Sequence, residues 1–425
     1  MRKALSPHVF IALTAVALFA GLHATTGRIE TNGGVGYDGV DYMRMLMGQL
    51  DDGTPVTELR PMIVLLNRPL YSRLGKPIET FVVMNHVYVF VLAMGLLWLL
   101  DRYGASTSVK WYSVLSVFLT IPVARLPAYY PVLIDLGAAA AITLAVACVV
   151  RGNRVGAAVA CVAAALSREF GIVAALFGLH RDLRSHTPAR QIAATYLPAV
   201  AAWVGIRLVV EFLWDGAGSL QQSEWLLRNR EMWRDPLFVG FFAYFVLTSF
   251  GGLTLAIAAD GRRFLTFLRR EPEWITFAVP IVAVTAIGGL DTVRYLIWLV
   301  PAVVVAFAVL SQGWSGVQRA VLFAGAAVAT WWTQRPFEPL SFAQYWGDWF
   351  PYYVITGEAR ELPPLQPQWG WRFFAVAAGL WLLTMATQRA VAPLQGRRRP
   401  EPLPEPIPAR RPEPVSRLFD EKVGV

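Results

Sequence analysis

Residues 155–179 read VGAAVACVAAALSREFGIVAALFGL, an apolar run of membrane-spanning length broken at its middle by Ser167-Arg168-Glu169. Both flanks are basic, with Arg151 and Arg154 before the run and Arg181, Arg184 and Arg190 after it. How often this stretch crosses decides the sidedness of every later connector. A single crossing puts Gly261-Arg262-Arg263 and Arg269-Arg270 outside while Arg151 and Arg154 stay inside, against the bias of basic connectors for the cytoplasm. A hairpin of two short helices returns every basic cluster, Arg397-Arg398-Arg399 included, to the cytoplasmic side. The hairpin is therefore expected. Each half, about twelve residues at 1.5 Å each, reaches roughly 18 Å, short of a hydrocarbon core near 30 Å. Its apex then has to lie in protein or in a wet cavity, since broken backbone and charge are tolerated at that depth only there. Arg168 and Glu169 are either functional or a pair that neutralises neighbouring helices and holds the bundle together.

The rest of the chain fits this setting. Its 425 residues are 56% hydrophobic and 16% charged, with mean hydropathy +0.46, and the apolar residues fall in blocks of about twenty. The expected fold is all-α, a polytopic helical membrane protein. About ten full spans are expected besides the hairpin, at about 8–24, 78–100, 109–126, 130–150, 190–213, 237–259, 273–290, 294–311, 316–334 and 370–388. Continuous rather than alternating apolar blocks argue against a barrel. The basic start and the apolar stretch to Leu22, with Ala24 as a cleavage candidate, is also how a secretory signal begins, but a first span followed by many others can simply stay. The net charge of +9 comes from arginines at span ends rather than from a patch on a soluble domain, so nucleic acid is not an expected partner. Cys148 and Cys161 lie inside apolar runs and read as packing residues.

With this topology both termini are cytoplasmic in an inner or plasma membrane. Residues 1–390 form one transmembrane unit, and the Pro/Arg/Glu-rich stretch 391–425 is a cytoplasmic tail disordered by composition. One outer face gathers the loops 24–77, 214–236 and 335–369, the turn Arg125–Pro131, the hairpin apex and Asp291–Tyr295. The other carries short basic connectors. Any chemistry is thus extracytoplasmic. No Gly-x-x-x-x-Gly-Lys-Ser/Thr sequence is present, and an activated nucleotide would be on the wrong side, so a donor carried on a membrane lipid is the expected kind.

The first outer loop contains Gly36-Tyr37-Asp38-Gly39, then Asp41-Tyr42 and Arg44. Either the glycines leave room for a ligand beside the carboxylate, or the four residues are only a turn. Asp38 and Asp41 share a face if the segment is helical. Partial withdrawal from water is expected to raise the pKa of Asp38 and suit it as a general base. Asp41 is the second catalytic candidate, able to orient the base, bind a hydroxyl or pair with Arg44. Arg60-Pro61 and Arg68-Pro69 frame a short apolar run, their arginines suited to lipid headgroups in general or to one phosphate. Arg294 with Tyr295 opens a Pro-containing span and is either a phosphate ligand or an interfacial anchor. Arg168 is a further phosphate candidate, with Glu169 fixing its direction. Tyr37, Tyr42, Tyr345, Trp346, Asp348 and Trp349 are candidates for the sugar or its acceptor, the aromatic ones equally for an interfacial belt. The dispersed histidines have no zinc spacing.

An acidic first outer loop, a charged apex in a broken helix pair and Arg-Tyr leading into a Pro-containing span together resemble the GT-C superfamily of integral membrane glycosyltransferases. Gly-Tyr-Asp-Gly followed by Tyr42, with Arg60-Pro61 and Ser-Arg-Glu, is similar to a group of bacterial membrane proteins associated with cell-surface glycopolymers. The resemblance implies a polyprenyl-phosphate sugar donor, a glycan or other hydroxyl acceptor, and inversion at the anomeric carbon. It gives Asp38 the place of the catalytic carboxylate and Arg294 that of the phosphate contact. Several relatives carry adjacent Asp-Glu in that loop, whereas here the acids are separated, which leaves the choice between Asp38 and Asp41, and a divalent metal, open. A transporter or lipid flippase and a non-catalytic envelope-assembly subunit are the competing classes.

Overall fold

The computed structural model describes residues 6–26, 28, 31–35, 38–49, 59–213, 246, 249–250, 252–287, 292–321 and 323–324. Among them all regular structure is helical, without a strand. Four helices are long and apolar enough to cross a membrane: Pro7–Thr25, Pro77–Arg102, Ala189–Leu213 and Arg294–Ser311. Thr107–Val117 with Pro122–Tyr129 makes a fifth if a pair bent by 65° is one span, and Asp135–Val150, Arg154–Ser167 and Glu273–Ala286 are shorter apolar helices. The described residues therefore hold four or five helices of membrane-crossing length and composition, and do not by themselves supply the expected ten. The expected spans near 237–259 and 316–334 lie partly outside them, and 370–388 and the tail 391–425 wholly so.

Local chemistry explains the boundaries. The side chains of Ser6, Ser106 and Asn153 cap helix starts by accepting from the backbone N–H of Val9, Val109 and Gly156, and Pro7, Pro61 and Pro77 sit where a helix needs no donor. The straight span expected over 109–126 is bent because its helix ends at Val117 and Pro122 stands in a π-helical turn, Ile121–Arg125. A proline there has no N–H to donate and breaks the ladder. A single α-helical turn, Leu126–Tyr129, follows the π-helical one, and the next long helix begins at Asp135, after the turn around Pro131.

Side-chain contacts gather the connectors at one end of the bundle. His8 Nε2 lies 3.0 Å from Asp101 Oδ1, and Asp101 also takes Lys110 and, at 3.7 Å, Arg151. Arg181 and Arg184 donate to Glu273 at 2.7 and 2.5 Å. Tyr103 donates to Glu271 at 2.5 Å, and burial together with the Glu271 charge holds its hydroxyl well above the usual tyrosine range.

The stretch 155–179 folds as a hairpin. Its first helix starts at Arg154 and its second ends at Arg184, yet Arg154 Nη1 donates to Asp182 Oδ2 at 3.0 Å. One continuous helix would separate those two residues by about 42 Å at 1.5 Å per residue. Trp203 Nε1 donates to the Glu169 carbonyl oxygen at 2.6 Å, so the apex stands level with a point about 21 Å along the neighbouring helix from Ala189. It stops short of the end of that 25-residue helix.

The apex itself depends on a missing side chain. Arg168 is extended, with φ −157° and ψ 150°, and leads into a 3₁₀ turn, Glu169–Ile172. A Cβ on Gly171 would lie 1.8 Å from the Ala164 carbonyl oxygen, a backbone atom that cannot swing aside. Gly171→Ala is expected to cost at least about 1–3 kcal/mol through overpacking, read as a lower thermal unfolding midpoint in detergent. An unchanged midpoint would mean that the turn yields without cost and that the glycine is not required there.

Candidate functional site

At the end of the bundle away from the basic connectors, side chains from five segments meet. Arg294 Nη1 donates to Asp38 Oδ2 at 2.5 Å, and its Nε to Asp135 Oδ2 at 2.6 Å. Asp135 Oδ1 accepts from Arg168 Nε at 2.8 Å and also from Arg168 Nη2. Arg168 Nη1 lies 4.0 Å from Glu169 Oε2. Glu169 Oε1 accepts from Arg60 Nε at 2.6 Å, and Arg60 Nη1 donates to the Tyr42 hydroxyl at 2.8 Å. Asp38 and Tyr42 lie one turn apart on the helix Asp38–Met47, so this alternating chain begins and ends on the same short helix.

Most of the chain is withdrawn from solvent. Arg168 is 1% exposed, Asp135 2%, Arg60 and Arg294 6% and Glu169 9%, whereas the Asp38 side chain is 41% exposed. Three guanidiniums against three carboxylates sum to zero, the condition under which buried charge is tolerated. Trp298, fully buried, backs the Arg168 guanidinium at 5.4 Å and stacks on Phe170. The helix carrying Asp38 is fixed from the other side by the Gly39 N–H, which donates to the Tyr130 hydroxyl at 3.0 Å.

This geometry corrects several expectations. Burial pushes the Asp38 carboxyl up, but the Arg294 guanidinium outweighs it by charge and hydrogen bond, with Arg60 and Arg168 behind it, so the carboxyl titrates below its usual range rather than above. The space beside Gly39 is not open to a ligand. A Cβ there would meet Tyr130 and Val35 at 3.1 Å and Val132 at 3.2 Å, so the glycine serves protein packing. Arg168 donates its hydrogen bonds to Asp135, while Glu169, 4.0 Å from Arg168, accepts from Arg60. Arg60 is no surface anchor: burial opposes its charge, yet the adjacent Glu169 more than compensates and holds its pKa above the ordinary value.

Of the residues singled out from the sequence, Asp38, Tyr42, Arg60, Arg168, Glu169 and Arg294 come together. Asp41 and Arg44 lie farther along the same helix, both half-buried. Tyr295 packs against Trp298, ring centroids 5.2 Å apart. Tyr37, Tyr345, Trp346, Asp348 and Trp349, with the loops 214–236 and 335–369, lie outside the described residues. Asp135 joins two arginines and was missed, although an acid inside an expected span is a signal in its own right.

Chemically, the chain offers anion-binding groups at fixed positions. Its one accessible carboxylate, Asp38, is paired with the Arg294 guanidinium. Among the described residues no group of three or more His, Cys, Asp or Glu side chains is placed to hold a metal ion. Comparison of the chain with protein-family models, with curated proteins and with solved structures found no match.

Proposed function

We propose that the chain is a membrane glycosyltransferase that moves a sugar from a polyprenyl-phosphate donor to a hydroxyl acceptor. The observation that carries this reading is the contact of a solvent-reachable carboxylate, Asp38, with Arg294 at the end of a buried guanidinium chain. In this reading it pairs a proton acceptor with a group able to bind the donor phosphate. In the reaction proposed, Asp38 takes the proton of the acceptor hydroxyl and that oxygen attacks the anomeric carbon. The carbon–oxygen bond to the phosphate breaks, and its electron pair stays on a phosphate oxygen beside Arg294. The configuration inverts. Arg168 supports the same charge from behind through Asp135. In this reading the basic connectors are cytoplasmic by the positive-inside rule and the site is extracytoplasmic. The GT-C-like arrangement and a bacterial envelope setting belong to this proposal.

Purified full-length protein, given a polyprenyl-phosphate sugar and a mixture of hydroxyl acceptors, is expected to release polyprenyl phosphate as product forms. Arg294→Gln removes a charged donor and is expected to weaken binding of polyprenyl phosphate itself by about ten- to a hundredfold, measured by retention in detergent micelles. Unchanged retention removes Arg294 from the phosphate site. Sugar or lipid carried across liposomes without glycosyl transfer would instead make the protein a carrier.

A further inference from the structure

The helix Ala189–Leu213 carries a cation that the chain of ion pairs does not use. Arg207 stands about 27 Å along it from Ala189, its guanidinium carbon 3.5 Å from the centroid of the Trp203 ring. Its Nη1 donates to the Trp203 carbonyl oxygen at 2.9 Å. Arg60, Arg168 and Arg294 each hold a carboxylate, but among the described residues no carboxylate pairs with Arg207. Such a group in a span seeks an anion.

The surroundings say which kind. Arg207 is half-buried, on the border between the buried stripe Tyr196, Ala199 and Val210 and the exposed Val204, Leu208 and Phe212. A span face with exposed apolar side chains is a face for acyl or prenyl chains. On the inner side, Trp203 reaches the carbonyl of Glu169, whose side chain accepts from Arg60. One aromatic ring thus separates the lipid-facing surface from the buried guanidinium chain.

We propose that Arg207, laid on Trp203, is a lipid-side phosphate site. The phosphate head of a membrane amphiphile pairs with the guanidinium while its chains lie along Val204, Leu208 and Phe212. This deepens the glycosyltransferase reading by giving its donor a lateral point of contact, but the probe carries no sugar, so failure of transfer and failure of this site are separate results.

The experiment uses full-length protein in nanodiscs of phosphatidylcholine doped with phosphatidic acid, whose head is a phosphate monoester, and reads the retained lipid by native mass spectrometry. Wild-type protein is expected to retain phosphatidic acid in preference to phosphatidylcholine, and Arg207→Gln to cut that preference about tenfold. Arg207→Lys keeps the charge but loses the planar stack and falls between the two. Trp203→Leu lowers retention while leaving Arg207 in place. Millimolar inorganic phosphate is expected not to displace the lipid, and displacement overturns the lipid assignment. Wild-type retention by Arg207→Gln overturns the site. If that variant does not fold, wild-type retention by both Arg207→Lys and Trp203→Leu does so instead.

Discussion

Asp135→Ala is expected to be the most destabilising single change at the site, by about 3–5 kcal/mol, because it strands two buried guanidiniums rather than one. Asp135 is 2% exposed and accepts from both Arg168 and Arg294, so no water replaces the lost carboxylate cheaply. Thermal unfolding of the detergent-solubilised protein gives the first measurement. A double-mutant cycle gives the second. Replacing a buried ionic group wholly by apolar side chains is often neutral or stabilising, whereas removing one partner is not. Asp135→Leu combined with Arg168→Met should therefore recover part of the stability lost by Asp135→Leu alone, with Arg294 left as the remaining cost. Binding of polyprenyl phosphate is not expected to recover, because the geometry of Arg294 rests on the carboxylate. Recovery of binding along with stability would reduce Asp135 to a structural counter-ion with no part in positioning the phosphate ligand.

The parts of this arrangement legible in the sequence are those carried by length and charge. The interruption at Ser167-Arg168-Glu169, in the middle of a run long enough for one helix but flanked by arginines on both sides, pointed to a hairpin, and the Arg154–Asp182 contact shows its feet together. Proline placement was legible in principle at Pro122, but an uninterrupted apolar run concealed the bend. Pairings were not legible. Nothing in the spacing of Arg168 and Glu169 says that adjacent residues on a turn point their charges to different partners, Asp135 and Arg60. The electrostatics of Asp38 turned on the same gap. Partial burial alone raises a carboxyl, and only the three-dimensional neighbour, 256 residues away in sequence, reverses the sign. The glycine of Gly39 was likewise ambiguous until Tyr130 was seen to fill the space.

Asp38→Asn is expected to lower the rate of sugar transfer by about 10²–10⁴-fold, the usual worth of a general base, with a smaller loss of stability than Asp135→Ala because the Asp38 side chain is 41% exposed and Arg294 keeps Asp135. The depressed pKa makes the pH dependence informative. A carboxylate whose folded pKa lies below its unfolded value adds stability above the latter and loses it as pH falls through the folded one, so neutral solution finds Asp38 ionised and ready to accept a proton. The same pairing also makes it a weak base. A donor phosphate arriving at Arg294 would share that guanidinium and add a like charge nearby, and both changes raise the carboxyl pKa. The acid limb of kcat/KM, which reports the free enzyme, is therefore expected below the ordinary carboxylate range, and the acid limb of kcat, which reports the donor complex, at higher pH. Coincident limbs would mean that the donor does not touch the Asp38–Arg294 pair. Retention of full transfer by Asp38→Asn would move the base elsewhere, with Asp41 on the next turn of the same helix the first group to test.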